Sequence, residues 1–182
     1  MSNVKPIYLI ALLLVVVFVA YLKLSNPNRE FSTSEFWQNA TVQSVNEVPN
    51  EALKPGNKNG PVLMWAAIGA NDPEILKALV ARGAQINEAD GVFKGTPLTG
   101  AAGYARNPKM IDVLVSLGAD VNKTVNHDET ALMIAAQLNK NPGIISALRK
   151  HGAILGKKNE SGETALDIAK ASNNETAIRE LE

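Results

Sequence analysis

The chain has 182 residues, of which 18 are lysine or arginine and 18 are aspartate or glutamate, and it contains no cysteine. A formal net charge of zero without long basic runs argues against nucleic acid as a partner. The absence of cysteine excludes a disulfide framework, a thiolate nucleophile and a cysteine-ligated metal site, so packing alone must hold the fold together.

An apolar segment comes first in the chain: residues 7–22 carry no charge and lie between Lys5 and Lys23. A helix of this length rises about 24 Å, and snorkelling of Lys23 extends it towards a hydrocarbon core of about 30 Å. We therefore predict a signal anchor over residues 1–24, with one transmembrane helix and membrane contact through residues 7–24. The alternative is a signal peptide that is cleaved, which would leave a soluble periplasmic protein.

The location of the remaining chain follows from the short leader before this segment. Such a leader usually stays in the cytoplasm, which predicts a single-pass inner-membrane protein with the rest of the chain in the periplasm. Four Asn-x-Ser/Thr sequons occur, at Asn39, Asn122, Asn159 and Asn174. A glycan on Asn122 would disrupt a loop of the repeat described below, which favours a bacterial periplasm over an endoplasmic lumen.

Two short segments precede the main part of the chain. Residues 25–31 are predicted to form a linker. Residues 32–58 are predicted to form a degenerate capping unit, in which segments 34–41 and 42–45 make a short helical pair. A repeat array needs a polar-faced unit of this kind at its end.

The main part of the chain is repetitive. Residues 95–102 have the sequence GTPLTGAA, whose skeleton recurs at 128–136 and 162–169, with a degraded copy at 59–67. The shared leucine recurs at intervals of 35, 34 and 34 residues, at Leu63, Leu98, Leu132 and Leu166. A nearly constant period of this length predicts a solenoid of stacked units.

The sequence of each unit predicts two helices. A threonine precedes the first helix and can cap its free N–H groups, at Thr96, Thr130 and Thr164. A proline marks the start of the second helix, at Pro73, Pro108 and Pro142. A glycine ends the second helix where a left-handed residue is wanted, at Gly83, Gly118 and Gly152.

This pattern resembles the ankyrin repeat over residues 59–182, with units at about 59–94, 95–127 and 128–158 and a C-terminal cap at 159–182. The resemblance implies an all-α solenoid of helix-turn-helix units with β-turn fingers, here preceded by the transmembrane helix. In that family an asparagine after the branched aliphatic residue braces the loop between units. Asn87 and Asn122 match that asparagine, whereas Gly156 replaces it in the third unit and implies a looser finger.

Two departures from the family pattern are evident. The histidine that usually follows the leucine is replaced by other residues, namely Met64, Thr99, Met133 and Asp167. The hydrogen-bond network that this histidine makes between repeats is therefore expected to be missing. Each turn between the two helices also carries one residue more than usual, which explains a period of 34.

Catalytic chemistry finds little support in the sequence. The chain has two histidines, no glycine-rich phosphate loop, no nucleophile elbow and no paired-carboxylate motif. His127, Asp128 and Glu129 are adjacent, but consecutive side chains in a turn diverge, and no second cluster completes a site. We therefore predict no catalytic, cofactor-binding or metal-binding residues, and an enzyme remains only a remote alternative.

Partner binding is instead expected at positions that the repeat pattern leaves free. The finger of the first full repeat places Val92, Phe93 and Lys94 near its tip, although Phe93 could equally fold back on the neighbouring finger. First-helix positions on the concave face are also candidates, namely Ile68, Tyr104 and Gln137. Further finger residues complete the candidate set, namely Asn126, His127, Lys157 and Lys158. The two lysines are either solvated surface or a contact for an acidic partner or lipid headgroups.

The functional class that follows is a membrane-tethered module, monomeric when unbound, that binds a protein partner without cofactors. Small exported bacterial ankyrin proteins include immunity partners of secreted toxic effectors such as phospholipases, and the resemblance implies that role here. One alternative is a periplasmic accessory factor that stabilises an enzyme, for instance in oxidative defence. Either partner, toxin or enzyme, would be encoded nearby, whereas a purely structural spacer would have no stable partner.

Overall fold

The computed structural model describes residues 30–56, 61–90 and 94–182. Over these ranges the chain is helical and contains no β-strand. The α-helices are α1 (Ser34–Gln38), α2 (Val62–Gly69), α3 (Glu74–Ala81), α4 (Pro97–Tyr104), α5 (Lys109–Ser116), α6 (Ala131–Leu138), α7 (Pro142–Lys150), α8 (Ala165–Ala171) and α9 (Glu175–Leu181). Short 3-10 helices cover Glu30–Ser32, Val42–Glu47, Asn50–Leu53 and Asn126–Asp128.

The helices stack in two layers. Helices α2, α4, α6 and α8, called the inner helices below, pack on one another in chain order, and α1 packs on α2. Helices α3, α5, α7 and α9, called the outer helices, also pack in chain order against one another. This is the helix-turn-helix solenoid that the repeat period predicts.

Small residues let the inner helices approach one another closely. Every alanine of the three predicted pairs is fully buried, namely Ala66, Ala67, Ala101, Ala102, Ala135 and Ala136. At Gly69 a Cβ atom would lie 2.2 Å from the carbonyl oxygen of Ser34. The start of α1 therefore rests directly on the last turn of α2.

The predicted helix caps are confirmed. Thr96, Thr130 and Thr164 each accept the backbone N–H of the residue three positions later at 3.3 Å. In all three units the bond is returned: Thr99 Oγ1 accepts the Thr96 N–H at 2.7 Å, Met133 Sδ accepts the Thr130 N–H at 3.4 Å, and Asp167 Oδ2 accepts the Thr164 N–H at 2.9 Å. Hydrogen bonds from the Thr164 hydroxyl and N–H lower the pKa of Asp167.

The glycines at the ends of the outer helices also have the predicted role. Gly83, Gly118 and Gly152 have φ angles of 100°, 98° and 85°, in the left-handed region that glycine alone adopts freely. An alanine follows each glycine and is buried, so the chain turns back under the helices at the same point in each unit.

The segment before the first full repeat belongs to the same core. Phe31 and Trp37 are buried, and Trp37 Nε1 donates to the carbonyl oxygen of Phe31 at 2.9 Å. The Arg82 guanidinium donates to Val45 O and, at 2.7 Å, to Asn50 Oδ1. The folded part of the chain thus already includes the last two residues of the predicted linker, 30 and 31.

The transmembrane segment predicted at residues 7–24 lies outside the described residues. Within the ranges that are described, no helix is long and apolar enough to cross a membrane.

Asparagine side chains connect each helix-helix turn to the turn before it. Each donates its side-chain amide to a backbone carbonyl of the preceding unit, so that five successive turns are joined. The bonds are Asn71 Nδ2 to Gln38 O (2.9 Å), Asn107 Nδ2 to Asn71 O (3.2 Å), Asn141 Nδ2 to Arg106 O (2.8 Å) and Asn174 Nδ2 to Asn139 O (2.9 Å). The bond from Asn174 is buried and the other three are exposed, and together they hold the units in one register.

A second set of asparagines connects the loops that follow the outer helices. Asn87 Nδ2 donates to the carbonyl oxygen of Gly118 at 3.1 Å, and Asn122 Nδ2 donates to that of Gly152 at 3.0 Å. These are the two asparagines expected to brace the loops, and in each case the bond reaches the next repeat. Gly156 has no side chain to continue the series.

Bonds between repeats are missing at the position where the family usually has histidine, but they are present elsewhere. Thr99 and Asp167 bond within their own helix starts. Contacts between repeats are nevertheless abundant, because the turn and loop asparagines provide them. The sequence reasoning missed this replacement, since it treated the turn asparagines only as residues that precede proline.

An ion cluster joins two outer helices. Asp112 Oδ1 on α5 lies 2.7 Å from Nε2 of His151, which follows α7, and 3.2 Å from Nζ of Lys150. The hydrogen bond from His151 lowers the pKa of Asp112; partial burial opposes this shift, and Lys150 adds to it. Here histidine does contribute to packing between repeats, through a side chain that follows the end of α7.

Replacing Asn139 should weaken the array. Its side-chain amide donates to Ala102 O at 2.9 Å and to Ala105 O at 3.2 Å, and the side chain is buried. Alanine occupies the equivalent positions 70 and 105, so Asn139→Ala fits sterically and isolates the hydrogen bonds. We expect the free energy of unfolding in urea to fall by about 1–3 kcal/mol.

Asn71→Ala is the matched control for this change. Asn71 is exposed and donates one bond, so its replacement should cost less than that of Asn139. Equal losses in the two variants would contradict a special role for the buried amide.

Asp112 should make stability depend on pH. Because its pKa is lowered in the folded state, its carboxylate stabilises the fold fully above its ordinary pKa of about 3.9. This contribution is lost as the pH falls through the lowered value. We therefore expect the urea midpoint of wild type to exceed that of Asp112→Asn at neutral pH, and the two to converge as the pH falls from about 4 to 2.

Glu35→Gln serves as the control for the pH series, because Glu35 is exposed and makes no ion pair within the described ranges. A gap between wild type and Asp112→Asn that stays constant over the acid range would count against the pairing.

Candidate protein-binding surface

Two large apolar side chains are exposed at the ends of the inner helices. Tyr104 ends α4 and is 60% exposed, and Leu138 ends α6 and is 41% exposed. They occupy equivalent positions, six residues after Leu98 and Leu132. Exposed apolar side chains at the same position of consecutive repeats form one surface, and such surfaces are typical of protein interfaces.

Glycines of α4 bring the neighbouring helices onto this surface. A Cβ atom at Gly100 would lie 3.2 Å from Cδ1 of Ile68, and one at Gly103 would lie 3.1 Å from Cγ2 of Ile134 and 3.5 Å from Cδ1 of Leu138. The side chains of α2 and α6 therefore lean over α4 from both sides. Ile68 and Ile134 are half-buried against α4, and we call these two residues the apolar floor.

The first-helix residues predicted to bind a partner lie on or next to this floor. Ile68 is half-buried over Gly100, whereas Tyr104 and Gln137 are exposed. The sequence reasoning missed Leu138, which is next to Gln137 and has the same offset in its repeat as Tyr104. That shared offset was the signal that could have identified it.

The finger of the first full repeat is only partly described. Its base is closed by a bond from the Asp90 N–H to the Gly95 carbonyl at 2.8 Å. Lys94 is exposed and has a φ of 56°, in the left-handed region. Val92 and Phe93, the apolar residues predicted at the tip, lie outside the described residues.

The next two fingers touch at their tips. Asn126 and His127 are exposed, and His127 Nδ1 lies 3.1 Å from Oε2 of Glu160. The Glu160 N–H also donates to the His127 carbonyl at 3.0 Å. His127 and Asp128 have φ angles of 59° and 56°, so the chain makes a tight left-handed turn there. Of the predicted site residues, His127 is thus engaged with the neighbouring finger.

The two lysines predicted at the third finger have different surroundings. Lys157 Nζ donates to the Asn122 carbonyl at 3.0 Å, as Lys123 Nζ donates to the Asn87 carbonyl at 3.1 Å. Lys157 is therefore half-buried between fingers. Lys158 is exposed, and it alone of the pair is open to a partner.

Glu88 occupies the position of Lys123 and Lys157 in the first full repeat. Its Oε1 accepts the N–H of Gly56 at 2.8 Å. Burial raises the pKa of Glu88, and the bond from Gly56 opposes that shift. An acceptor replaces the lysine here because the preceding segment presents an N–H group instead of a carbonyl.

A second exposed apolar pair lies at the loop after α7. Ile154 and Leu155 are 54% and 40% exposed. The equivalent residues in the preceding repeat are Asp120 and Val121, of which Val121 packs against the core. The sequence reasoning did not single out this pair, because it treated the loop only as a repeat signature.

Nothing in the described part of the chain assembles a metal site. No group of three histidine, aspartate or glutamate side chains lies close enough to hold a metal ion there. The adjacent residues His127, Asp128 and Glu129 do not converge: His127 faces Glu160 of the next finger.

Comparison with known families agrees with the geometry. A family model described as ankyrin repeats (3 copies) matches residues 63–159 and 101–181, which together cover more than half of the chain. No curated protein matches the chain. The helix-turn-helix stack, the threonine caps and the loop asparagines all lie within the matched residues. The chain therefore belongs to the ankyrin-repeat family, whose members are typically non-enzymatic modules for protein-protein interaction.

Proposed function

We propose that this chain binds one folded protein partner through the inner helices and the adjacent fingers. The observation that carries the proposal is the exposure of Tyr104 and Leu138 at equivalent positions of consecutive repeats. Burial of two such side chains on association would release their hydration water and contribute favourably to binding. The apolar floor of Ile68 and Ile134 extends the contact area, and Gln137 and Lys94 supply polar groups at its rim.

Photo-crosslinking tests this surface in the full-length protein in cells. A photoreactive amino acid at position 104 or 138 should give the same crosslinked partner, because both positions lie on one surface. Position 77 on the outer helix α3 is the control, since the Lys77 side chain is 48% exposed but faces away from the proposed contact. The proposed surface is wrong if position 77 yields that partner as well or if positions 104 and 138 yield none.

We further propose that the module is tethered to the bacterial inner membrane and lies in the periplasm. The uncharged run at residues 7–22 supports a tether. Two sequons support a compartment without N-glycosylation, because Asn122 and Asn174 both use their side chains in bonds between repeats. A glycan attached to Nδ2 of either asparagine would take that amide out of the bonds between repeats.

A reporter fused after Glu182 tests the orientation. Alkaline phosphatase, which folds in the periplasm, should be active in the fusion, and a reporter that requires the cytoplasm should be inactive. Activity of the cytoplasmic reporter alone would overturn the proposed location.

For the biological role we propose an immunity protein that neutralises a secreted toxic effector, such as a membrane-attacking phospholipase. A tethered binding module would hold the inhibitor beside the bilayer under attack. Deletion of the gene should sensitise cells to the toxin of a sibling strain, and expression of wild type should restore resistance. If resistance is unchanged and the crosslinked partner is instead an enzyme that loses stability in the deletion strain, the accessory role is the correct one.

A further inference from the structure

A basic residue accompanies each of the two exposed apolar side chains of the inner helices. Arg106 follows Tyr104 by two residues, and Lys140 follows Leu138 by two residues. Both cations are exposed. Among the described residues, neither side chain has a hydrogen bond or an ion pair. We call the four residues Tyr104, Arg106, Leu138 and Lys140 the basic-apolar edge.

The edge is one continuous surface. Asn141 Nδ2 donates to the Arg106 carbonyl at 2.8 Å, which holds the two turns side by side. Asn139 donates to the Ala105 carbonyl at 3.2 Å, directly between Tyr104 and Arg106. Leu138 Cδ1 lies 3.5 Å from the Cβ position of Gly103, the residue before Tyr104.

Acidic residues are absent from the segments that build this edge. Residues 91–111 and 130–159 contain no aspartate or glutamate. A third cation, Lys109, is exposed at the start of α5, next to the turn that carries Arg106. The first repeat has two carboxylates near its own turn, and each has a partner. Asp72 accepts the Glu74 N–H at 2.9 Å, and Glu74 pairs with Lys77 at 2.7 Å. Among the described residues, therefore, no ion pair involves Arg106 or Lys140 in the middle of the edge.

We infer that the basic-apolar edge binds a segment of the protein partner in which carboxylates flank apolar side chains. Tyr104 and Leu138 would bury the apolar side chains, and Arg106 and Lys140 would pair with the carboxylates. The guanidinium of Arg106 can bind a carboxylate in a bidentate manner. This inference rests on the proposed function, since it specifies the partner chemistry at the same inner surface.

Other anionic ligands fit the edge less well. Membrane surfaces are typically recognised by clusters of about 4–8 basic residues, and the edge with Lys109 supplies three. Nucleic acid binding likewise depends on many phosphate contacts, about 6–10 in a typical case. Two apolar side chains one repeat apart, each with one cation, instead suit discrete side chains of a polypeptide.

Peptide selection on the full-length protein tests the inference. The probe is a random peptide display library, panned against wild type, Arg106→Glu/Lys140→Glu and the control Lys77→Glu/Arg179→Glu, which makes an equal change of charge on the outer helices. Wild type and control should enrich peptides that combine Asp or Glu with Leu, Phe or Tyr. The edge variant should not enrich them, and a synthetic peptide from the wild-type selection should bind it about tenfold or more weakly.

The possible results separate this inference from the proposed function. Enriched peptides that are apolar without carboxylates, and that require Tyr104 and Leu138 but not Arg106 and Lys140, would overturn the inference and leave the inner surface intact as a binding site. Peptides that depend on neither pair, or no enrichment at all, would count against both. Circular dichroism and urea unfolding confirm that the charge variants keep the fold.

Association with phosphatidylglycerol vesicles provides the remaining test. The apolar N-terminal run is common to all variants, so a difference between variants reports on the edge alone. Vesicle association that weakens in Arg106→Glu/Lys140→Glu, with peptide binding unchanged, would assign the edge to anionic lipid and overturn the inference. Equal vesicle association in wild type and the edge variant agrees with a polypeptide ligand.

Discussion

The array depends on side-chain amides that cross from one repeat to the next. At the turns, the asparagines donate backwards to the carbonyls of the preceding unit, and at the loops Asn87 and Asn122 donate forwards to the following one. An α-helix leaves its last carbonyls without intrahelical partners. Where stacking buries such carbonyls, amides of the next unit satisfy them: Asn139 donates to Ala102 O and Ala105 O, and Asn174 donates to Ala136 O and Asn139 O. Stacking in another register would leave these buried carbonyls unpaired, so the same bonds that stabilise the array also fix its geometry.

The units are held together by side-chain bonds to backbone carbonyls, so residues that do not make these bonds are free to differ between repeats. The alanine pairs and the threonine caps carry the same chemistry in consecutive units; the alanines, Thr96 and Thr130 are buried, and Thr164 is half-buried. The sixth position after the repeat leucine behaves differently, since it is Gly69 in one unit, Tyr104 in the next and Leu138 in the third. Gly69 is required by the close approach of α1, whereas Tyr104 and Leu138 are exposed. Positions without a structural role are where partner choice can be encoded.

The sequence allowed us to predict the roles of residues that recur at the same position in every repeat. It did not allow us to predict the roles of residues whose position differs between repeats. The threonine caps and the glycines after the outer helices recur in phase, so their roles followed directly from the pattern. The turn asparagines stand at different offsets from the repeat leucine, as Asn139 at seven residues and Asn174 at eight show. Only the structure reveals that these two bond to equivalent carbonyls of the preceding unit. Lys157 was predicted to be either solvated surface or a contact for a partner, and in the structure its Nζ donates to the Asn122 carbonyl of the neighbouring finger. No property of the sequence near Lys157 specifies that carbonyl, because its position depends on how the fingers stack.

The charged side chains of the outer helices and those of the inner side differ in whether they have partners of opposite charge. On the outer helices Asp112 faces Lys150 and His151 across two repeats, so attraction between these groups favours stacking. On the inner side Arg106 and Lys140 occupy matching positions of adjacent repeats, and both are exposed without an ion pair among the described residues. The asparagine bonds between the same two turns hold these positions side by side. Because neither cation is paired in the free protein, a carboxylate brought by a partner would form its ion pair without first breaking another.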